Sequence, residues 1–441
     1  MKKNLYLVIG LGATGLSCIR YLISKNYSVI VADSRSNPPK LAEFKKDFPN
    51  IEIHLGKFSE DLFAKAGTLV VSPGVSLDEP CIQRAIQNHI PVIGDVEIFA
   101  REAKAPIIAI TGSNGKSTLT TLMGEIISDA GLKAVVCGNI GFPVLDALVQ
   151  PTPDYYVVEL SSFQLDTTHS LKATVAVVIN VSPDHMDRYA TLDDYRASKQ
   201  RVYRHCEQAI VNADEPDIWK NLTFQKTPIE FTLQNPTQHQ WGVRDGFLAY
   251  GDNNLIAITD LPLQQRHNNQ NFLAALAMGN ILHLSMKSML KTLLRFTGLE
   301  HRCQLVKKTD GVSWYNDSKA TNVGAAIAAI ESMAQSLSGK LILLAGGDSK
   351  GVSLLPLQEP VKKHVSHVIL FGKDADLLDA ALRNHTQISR VATLREGVQS
   401  AKKIAQSGDV VLLAPACASL DQYENYVARG RDFIEAVITD H

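Results

Sequence analysis

Short runs of β-branched and aliphatic residues recur along the chain, each followed by a stretch in which apolar positions fall at helical spacing. Residues 4–10 predict a buried strand entering Gly10-Leu11-Gly12, and residues 14–25 a helix behind it. Residues 28–32 predict a second strand ending at Asp33, and 69–71 another that runs into the turn Ser72-Pro73-Gly74. The rhythm restarts at 106–110, 155–160 and 174–179, and again at 340–345, 368–371 and 410–414. Short apolar runs alternating with helical segments mark parallel βαβ units, whose strands are buried on both faces. The fold class expected is therefore α/β. A polar, turn-rich stretch at 221–260 predicts an antiparallel insertion, and residues 271–283 and 423–437 predict helices. The first module closes near 91–94, and a hinge is expected at Phe296-Thr297-Gly298-Leu299.

Length agrees with this division, since 441 residues correspond to three domains at about 150 residues each. The expected boundaries are 1–93, 94–298 and 299–441. Charge narrows the partners: 44 Lys and Arg against 45 Asp and Glu leave a net charge of −1, without the basic excess that phosphate neutralisation demands of a nucleic-acid binder. No apolar run is long enough to span a membrane, and Met1-Lys2-Lys3 with the short run behind it reads as the approach to a first strand. The six cysteines (Cys18, Cys81, Cys137, Cys206, Cys303, Cys417) are scattered. They predict reduced, mostly buried thiols in a cytoplasm, with no disulfide frame and no zinc site.

Two glycine loops carry the first chemistry. Gly10-Leu11-Gly12-Ala13-Thr14-Gly15 joins a predicted strand to a helix, and Asp33 ends the next strand. This is a dinucleotide-type fingerprint, in which glycines let the backbone approach a diphosphate at a helix N-terminus. The same residues would also make a tight turn that binds nothing. Thr111-Gly112-Ser113-Asn114-Gly115-Lys116-Ser117-Thr118 is a phosphate-binding loop with Ile110 where the general pattern has its first glycine. Backbone amides would cradle phosphates, Lys116 would neutralise them, and Ser117 would ligate Mg²⁺.

Polar groups gather after other strands. Glu159 ends a strand ahead of Ser161-Ser162-Phe163-Gln164, and Asp184-His185-Met186-Asp187-Arg188 follows another. Both ends should share an edge with the phosphate loop, which makes Glu159 a natural Mg²⁺ ligand. Lys199 lies in a helix that starts with a capping-box-like Thr191-Leu192-Asp193-Asp194, among Arg196, Arg201 and Arg204, and on local grounds is one exposed lysine among several basic residues. Trp314–Asn322 is dense in hydrogen-bonding groups. Cys417, within Ala414–Gln422, is expected to be packing and not a nucleophile, since no local residue supplies a base.

Together the blocks Thr111–Thr118, Glu159–Gln164, Asp184–Arg188, Asn316–Asn322 and Pro415–Gln422 resemble the Mur ligase family over nearly the whole chain, and within it the members that add D-glutamate. The resemblance implies a Rossmann-like N-terminal domain, a central P-loop ATPase domain and a C-terminal Rossmann-like domain. It implies ATP-driven amide formation between UDP-N-acetylmuramoyl-L-alanine and D-glutamate through an acyl phosphate, in cytoplasmic peptidoglycan precursor synthesis, and hence a part in cell-wall biogenesis, cell shape and division. A monomer is expected. Catalysis falls on Lys116, Glu159, His185 and Lys199. Two Mg²⁺ are held by Ser117, Glu159, His185 and Lys199, the last as a CO2-derived carbamate, which reverses the local reading of that lysine. ATP falls to Gly112, Ser113, Asn114, Gly115, Lys116, Ser117, Thr118, Asn271, Arg302, Asp317 and Lys319, with Asn268 and His301 as neighbours. The UDP-sugar falls to Ala13, Thr14, Asp33, Ser34, Arg35, Ser72, Pro73, Gly74, Asn139 and Gln164. D-Glutamate falls to Thr321, Lys350, Ser419, Leu420 and Tyr426. Gln265, where a glycine is common, and the loop Asp348-Ser349-Lys350-Gly351 depart from the family pattern.

Other assignments compete. Ligases of the same family that add L-alanine, diaminopimelate or lysine, and folylpolyglutamate synthases, share the two glycine loops. An NAD oxidoreductase would use Gly10–Gly15 and leave Thr111–Thr118 unexplained. A non-catalytic nucleotide sensor would bind ATP and form no acyl phosphate.

Overall fold

A computed structural model of the chain describes residues 5–186, 188–334, 337–349 and 351–439. Asp187 and Lys350 therefore lie outside the described residues. The chain divides into two compact units, one running through Leu261 and including Asn269–Arg295, the other made of Pro262–Asn268 and the chain from Phe296 onward.

The first unit holds two sheets. β1 (Leu5–Ile9), β2 (Ser28–Asp33), β3 (Ile53–Leu55), β4 (Thr68–Val71) and β5 (Val92–Ile93) form a sheet in the order β3-β2-β1-β4-β5, parallel throughout. The second sheet contains β6 (Ile107–Thr111), β7 (Ala134–Gly138), β8 (Tyr155–Glu159), β9 (Val175–Val178), β10 (Gln208–Asn212), β11 (Ile229–Phe231), β12 (Trp241–Arg244), β13 (Phe247–Tyr250) and β14 (Asn253–Ala257). Its order is β14-β13-β12-β11-β10-β9-β6-β8-β7. Every residue of β6 is buried, as a strand covered on both faces by helices requires. One apolar core runs through the unit and joins Leu16, Ile19 and Val70 to Leu145, Val158 and Val178. In the second unit β15 (Gln304–Thr309), β16 (Val312–Asn316), β17 (Leu341–Gly346), β18 (Val365–Phe371), β19 (Gln387–Arg390) and β20 (Val410–Leu413) are ordered β15-β16-β20-β17-β18-β19, with only β15 antiparallel to its neighbour.

In the third sheet β20 lies between β16 and β17 as the last strand to join; in each of the first two, one strand sits where the crossovers part to either side, β1 between β2 and β4 and β6 between β8 and β9. Ligands of open α/β sheets collect at the carboxyl ends of such strands. The strands expected from apolar runs are present. Of those that were not expected, β7 carries Cys, and β10 carries Gln and Asn, within the run. The stretch expected as an antiparallel insertion is instead an extension of the second sheet: β11 pairs parallel with β10, and only β12–β14 form an antiparallel ladder. The helix expected at 271–283 spans Arg266–Ile281, its polar first turn having no apolar periodicity to announce it.

Candidate active site

At the end of β1, Gly15 lets the helix Ala13–Ser24 sit against the strand: a Cβ there would stand 1.9 Å from the Gly10 carbonyl oxygen. Ala13 is exposed and Thr14 half-buried at the start of that helix. Asp33 is buried, with its carboxylate accepting from the Leu11 amide at 2.7 Å and from Arg35 Nε and Nη2 at 2.8 and 2.7 Å. Burial alone would raise its pKa, but the Arg35 guanidinium and the two backbone amides hold it below the ordinary carboxylate value. Ser34 and Arg35 are exposed beside it, and Ser72 Oγ donates to the Gly10 carbonyl at 3.0 Å.

At the end of β6, Gly115 takes φ +82° to open the helix Lys116–Asp129, and a Cβ there would come within 2.6 Å of Asn271 Oδ1. Asn271 is buried against this turn, and its Oδ1 has no hydrogen-bond partner. Lys116 Nζ donates to the carbonyls of Gly112 and Ser113 at 2.9 and 2.8 Å. Ser117 and Thr118 are buried in the first turn of the helix. Asn180, which follows β9, clasps the loop: its carbonyl accepts the Ser113 amide and its Oδ1 the Asn114 amide, both at 2.9 Å.

Ile110 pairs with Glu159, which places that carboxylate beside the loop. Glu159 is 1% exposed; Oε1 accepts from Asn139 Nδ2 at 2.7 Å, and Oε2 has no partner. A buried carboxylate oxygen without a donor is a position that a cation completes. Asn139 thus steers Glu159. Gln164 is likewise engaged internally, in a capping box with Ser161. Lys199, which local sequence would leave on the surface, is 1% exposed. Its Nζ donates to the Gly112 carbonyl at 2.9 Å, the oxygen that Lys116 also uses, and lies 4.3 Å from the centre of the Tyr195 ring. Burial and the neighbouring Lys116 push its pKa well below the ordinary lysine value.

His185 takes φ +56°, stands edge-on to Phe163 with ring centres 4.8 Å apart, and is exposed. Among the described residues no three His, Cys, Asp or Glu side chains come together as a metal cage. The donors at this edge are the Glu159 carboxylate, the Ser117 hydroxyl and the His185 imidazole, an oxygen-rich set that fits Mg²⁺ with water or phosphate completing its shell.

The second unit builds a separate polar edge where β16, β17 and β20 end. Asp317 is nearly buried, with Cys303 Sγ 3.4 Å from Oδ2, and burial raises its pKa to about 6. Lys319 Nζ lies 4.2 Å from the centre of the Tyr426 ring, so a residue expected at ATP touches one expected at D-glutamate. Thr321 is half-buried, Ser419 buried, and Leu420 exposed. Arg302 lies in the turn that follows Leu299, its amide bonded to the Leu299 carbonyl. His301 is buried with Nδ1 2.9 Å from Asn316 Nδ2, and burial lowers its pKa. Asn268 Nδ2 donates to Gln265 Oε1 at 2.8 Å. Burial pushes the Cys417 thiol up to about 12, which leaves it packed and inert.

Sequence reasoning missed two residues that organise these edges. Tyr195 walls in Lys199, with its Oη 3.3 Å from Ser113 Oγ. Arg429 is fully buried and donates to the Ser318 hydroxyl and to the carbonyls of Ser318, Gly346 and Cys417, between 3.0 and 3.3 Å. The i, i+4 pair Tyr195 and Lys199 on one helix face is the only local signal for the first. Arg429 has none beyond its place in an amphipathic helix that also carries Arg431.

Three family profiles match the chain: "Mur ligase MurD-like, N-terminal domain" over residues 4–94, "Mur ligase middle domain" over 110–279, and "Mur ligase, glutamate ligase domain" over 301–417. A UDP-N-acetylmuramoylalanine--D-glutamate ligase of Coxiella burnetii is 48% identical over 437 residues, 99% of each chain. One of Pseudomonas syringae pv. syringae is 46% identical over 98% of this chain and 97% of its own. Among solved structures, a UDP-N-acetylmuramate-alanine ligase of Thermotoga maritima superposes with a TM-score of 0.61 at 18% identity, covering 98% of each chain. A pseudomurein peptide ligase type C of Methanothermus fervidus gives 0.61 at 19%, covering 98% of this chain and 100% of its own.

Proposed function

The chain belongs to the Mur ligase family, and on that footing we propose that it joins D-glutamate to UDP-N-acetylmuramoyl-L-alanine with cleavage of ATP. It is an ATP-dependent acid–amino-acid ligase of peptidoglycan precursor synthesis. ATP and Mg²⁺ serve it. No helix among the described residues is long and apolar enough to cross a membrane. We place the enzyme in the cytoplasm, as a monomer, with the UDP-sugar on residues 1–93, ATP on 94–298 and the amino acid on 299–441.

The observation that carries the reading is the pair of lysines on one carbonyl. Lys116 and Lys199 both donate to the Gly112 oxygen, beside a buried Glu159 with a vacant acceptor. The substrate carboxylate is a poor acylating agent, so it attacks the γ-phosphorus of ATP and ADP leaves; the resulting acyl phosphate then accepts the amine of D-glutamate at its carbonyl carbon and expels phosphate. Phosphoryl transfer needs positioning and charge neutralisation more than covalent help. Lys116 swings from the Gly112 and Ser113 carbonyls to the transferred phosphoryl group. The amides of the loop hold the remaining oxygens once Asn180 releases them.

Mg²⁺, when bound, neutralises the phosphate oxygens and orients the attacking carboxylate. Ser117 and Glu159 would hold one ion and His185 a second. Lys199, its cation disfavoured by burial and by Lys116, presents a neutral amine that adds CO2 and loses a proton to give a carbamate. The carbamate replaces a like-charge conflict with an attraction and supplies oxygen donors to the same edge. Asp33, Ser34, Arg35 and Ser72–Gly74 take the uridine diphosphate end, and Asn271, Arg302, Asp317 and Lys319 the nucleotide. Thr321, Lys350, Ser419, Leu420 and Tyr426 take D-glutamate. The test is phosphate release with UDP-N-acetylmuramoyl-L-alanine and a panel of amino acids. Turnover is expected with D-glutamate; turnover with L-alanine and none with D-glutamate refutes the assignment.

A further inference from the structure

Between the turn after β4 and the helix Ser162–Asp166 runs a narrow crevice lined in part by Ser72, Pro73, Val75, Phe163, Asp166 and Arg188. Its lining joins the expected UDP-sugar turn at Ser72 and Pro73 to Arg188, three residues after His185. Among the described residues its charged walls are Asp166 and Arg188. Asp166 is engaged, since its Oδ2 accepts from Tyr189 Oη at 2.7 Å. Arg188 is not bonded to a carboxylate among the described residues. Its guanidinium lies 4.5 Å from the centre of the Phe163 ring, and one nitrogen, Nη2, donates to the Val75 carbonyl at 3.1 Å. Phe163 in turn stacks on Tyr189 at 5.9 Å, and the Arg188 amide closes a turn on the His185 carbonyl at 2.9 Å.

The side chain is thus fixed by an aromatic face and by a carbonyl one residue past Gly74, while no carboxylate among the described residues bonds its charge. A guanidinium presents five N–H donors in a fork that matches phosphate oxygens, and stacking on an aromatic ring leaves its edge free to use them. The anion within reach of the Ser72–Gly74 turn, for a substrate that enters there, is a nucleoside diphosphate.

We infer that Arg188 is a specificity-determining residue that binds the diphosphate of the UDP-sugar, clamping it across the crevice between the turn after β4 and the loop of His185. The inference rests on the proposed reading of the first sheet as the UDP-sugar site. Because Arg188 turns directly onto His185, the same clamp registers the substrate's far end against the reacting edge.

The test is calorimetric titration of the full chain with UDP and with uridine, for the wild type, Arg188→Ala and Arg188→Lys. Wild type is expected to bind UDP more tightly than uridine. Arg188→Ala should weaken UDP about ten- to hundredfold, the share of one charge-assisted fork, and leave uridine within about twofold. Arg188→Lys, which keeps the charge and loses the fork, should fall between them and supplies the answer if the alanine variant does not fold. The KM for ATP should stay unchanged in both. If UDP and uridine weaken together, or neither changes, Arg188 is a structural latch and the inference fails alone. If the wild type does not prefer UDP to uridine, the reading of the first sheet fails, and the inference with it.

Discussion

At the end of β6 two lysines close on a carbonyl of a glycine loop, whereas at the end of β20 a buried guanidinium holds the carbonyls of the loops around it. In the loop that turns through Gly112 and Gly115, Asn180 holds the Ser113 and Asn114 amides, and two lysines, Lys116 and Lys199, close on the Gly112 carbonyl. In the second unit the strand ends turn carbonyls inward at Ser318, Gly346 and Cys417, and one buried guanidinium, Arg429, satisfies them. The first edge lies at a switch point of its open sheet, the second on the central strands of its own. The first therefore keeps two cations beside a loop that we propose receives phosphate, and the second commits its cation to its own loops. Asp317 and Lys319 flank Ser318, one of the residues that Arg429 holds.

The contrast is testable from both sides. Lys116→Ala should lower the rate of phosphate release by about a thousandfold or more, since it removes charge neutralisation in the transition state; a near-normal rate would remove the phosphate-loop half of the contrast. Lys199→Ala should cost about a hundredfold, with part of the activity restored by a short carboxylate added to the assay. Full activity in that variant would reject the carbamate role.

Arg429→Lys should destabilise the second unit by about 2–4 kcal/mol, because inward carbonyls lose their donors. Hydrogen exchange is the appropriate measurement: protection should fall in β16, β17 and β20 and persist in β6, β8 and β9. Equal loss in both sheets would show that Arg429 is not confined to its own edge.

The smallest effect concerns Asp317. Its folded pKa of about 6 lies above the ordinary 3.8, so burial disfavours the ionised form. This cost is absent below the unfolded value, grows as pH rises toward 6, and is complete above it. Asp317→Asn should therefore gain about 1–3 kcal/mol of stability at pH 8 and lose that advantage at pH 4, while ATP turnover falls. Denaturant unfolding at the two pH values checks the sign.

The same contrast governs what could be read from sequence. A backbone cradle needs glycine at set positions, so Thr111–Thr118 and Gly10–Gly15 were legible, as were the apolar strands that end at them. Glu159 was legible from its place at a strand end. Lys199 was not, because its burial comes from Tyr195 on its own helix and from the loop it meets 87 residues earlier. Arg429 was hidden for the same reason: its partners lie on three separate loops, and in the chain it differs in nothing from Arg431. The antiparallel insertion expected at 221–260 is present only in β12–β14, because register with a neighbouring strand, and not turn composition, decides that β11 runs parallel to β10.

The step proposed as central is transfer of a phosphoryl group to the substrate carboxylate at the Lys116 edge. Its most direct test is turnover of UDP-N-acetylmuramoyl-L-alanine labelled with ¹⁸O in the alanyl carboxylate, followed by mass analysis of the phosphate released. An acyl phosphate requires one labelled oxygen to leave with phosphorus, and that is the result expected. Phosphate released without label, in the presence of D-glutamate and product, would contradict it.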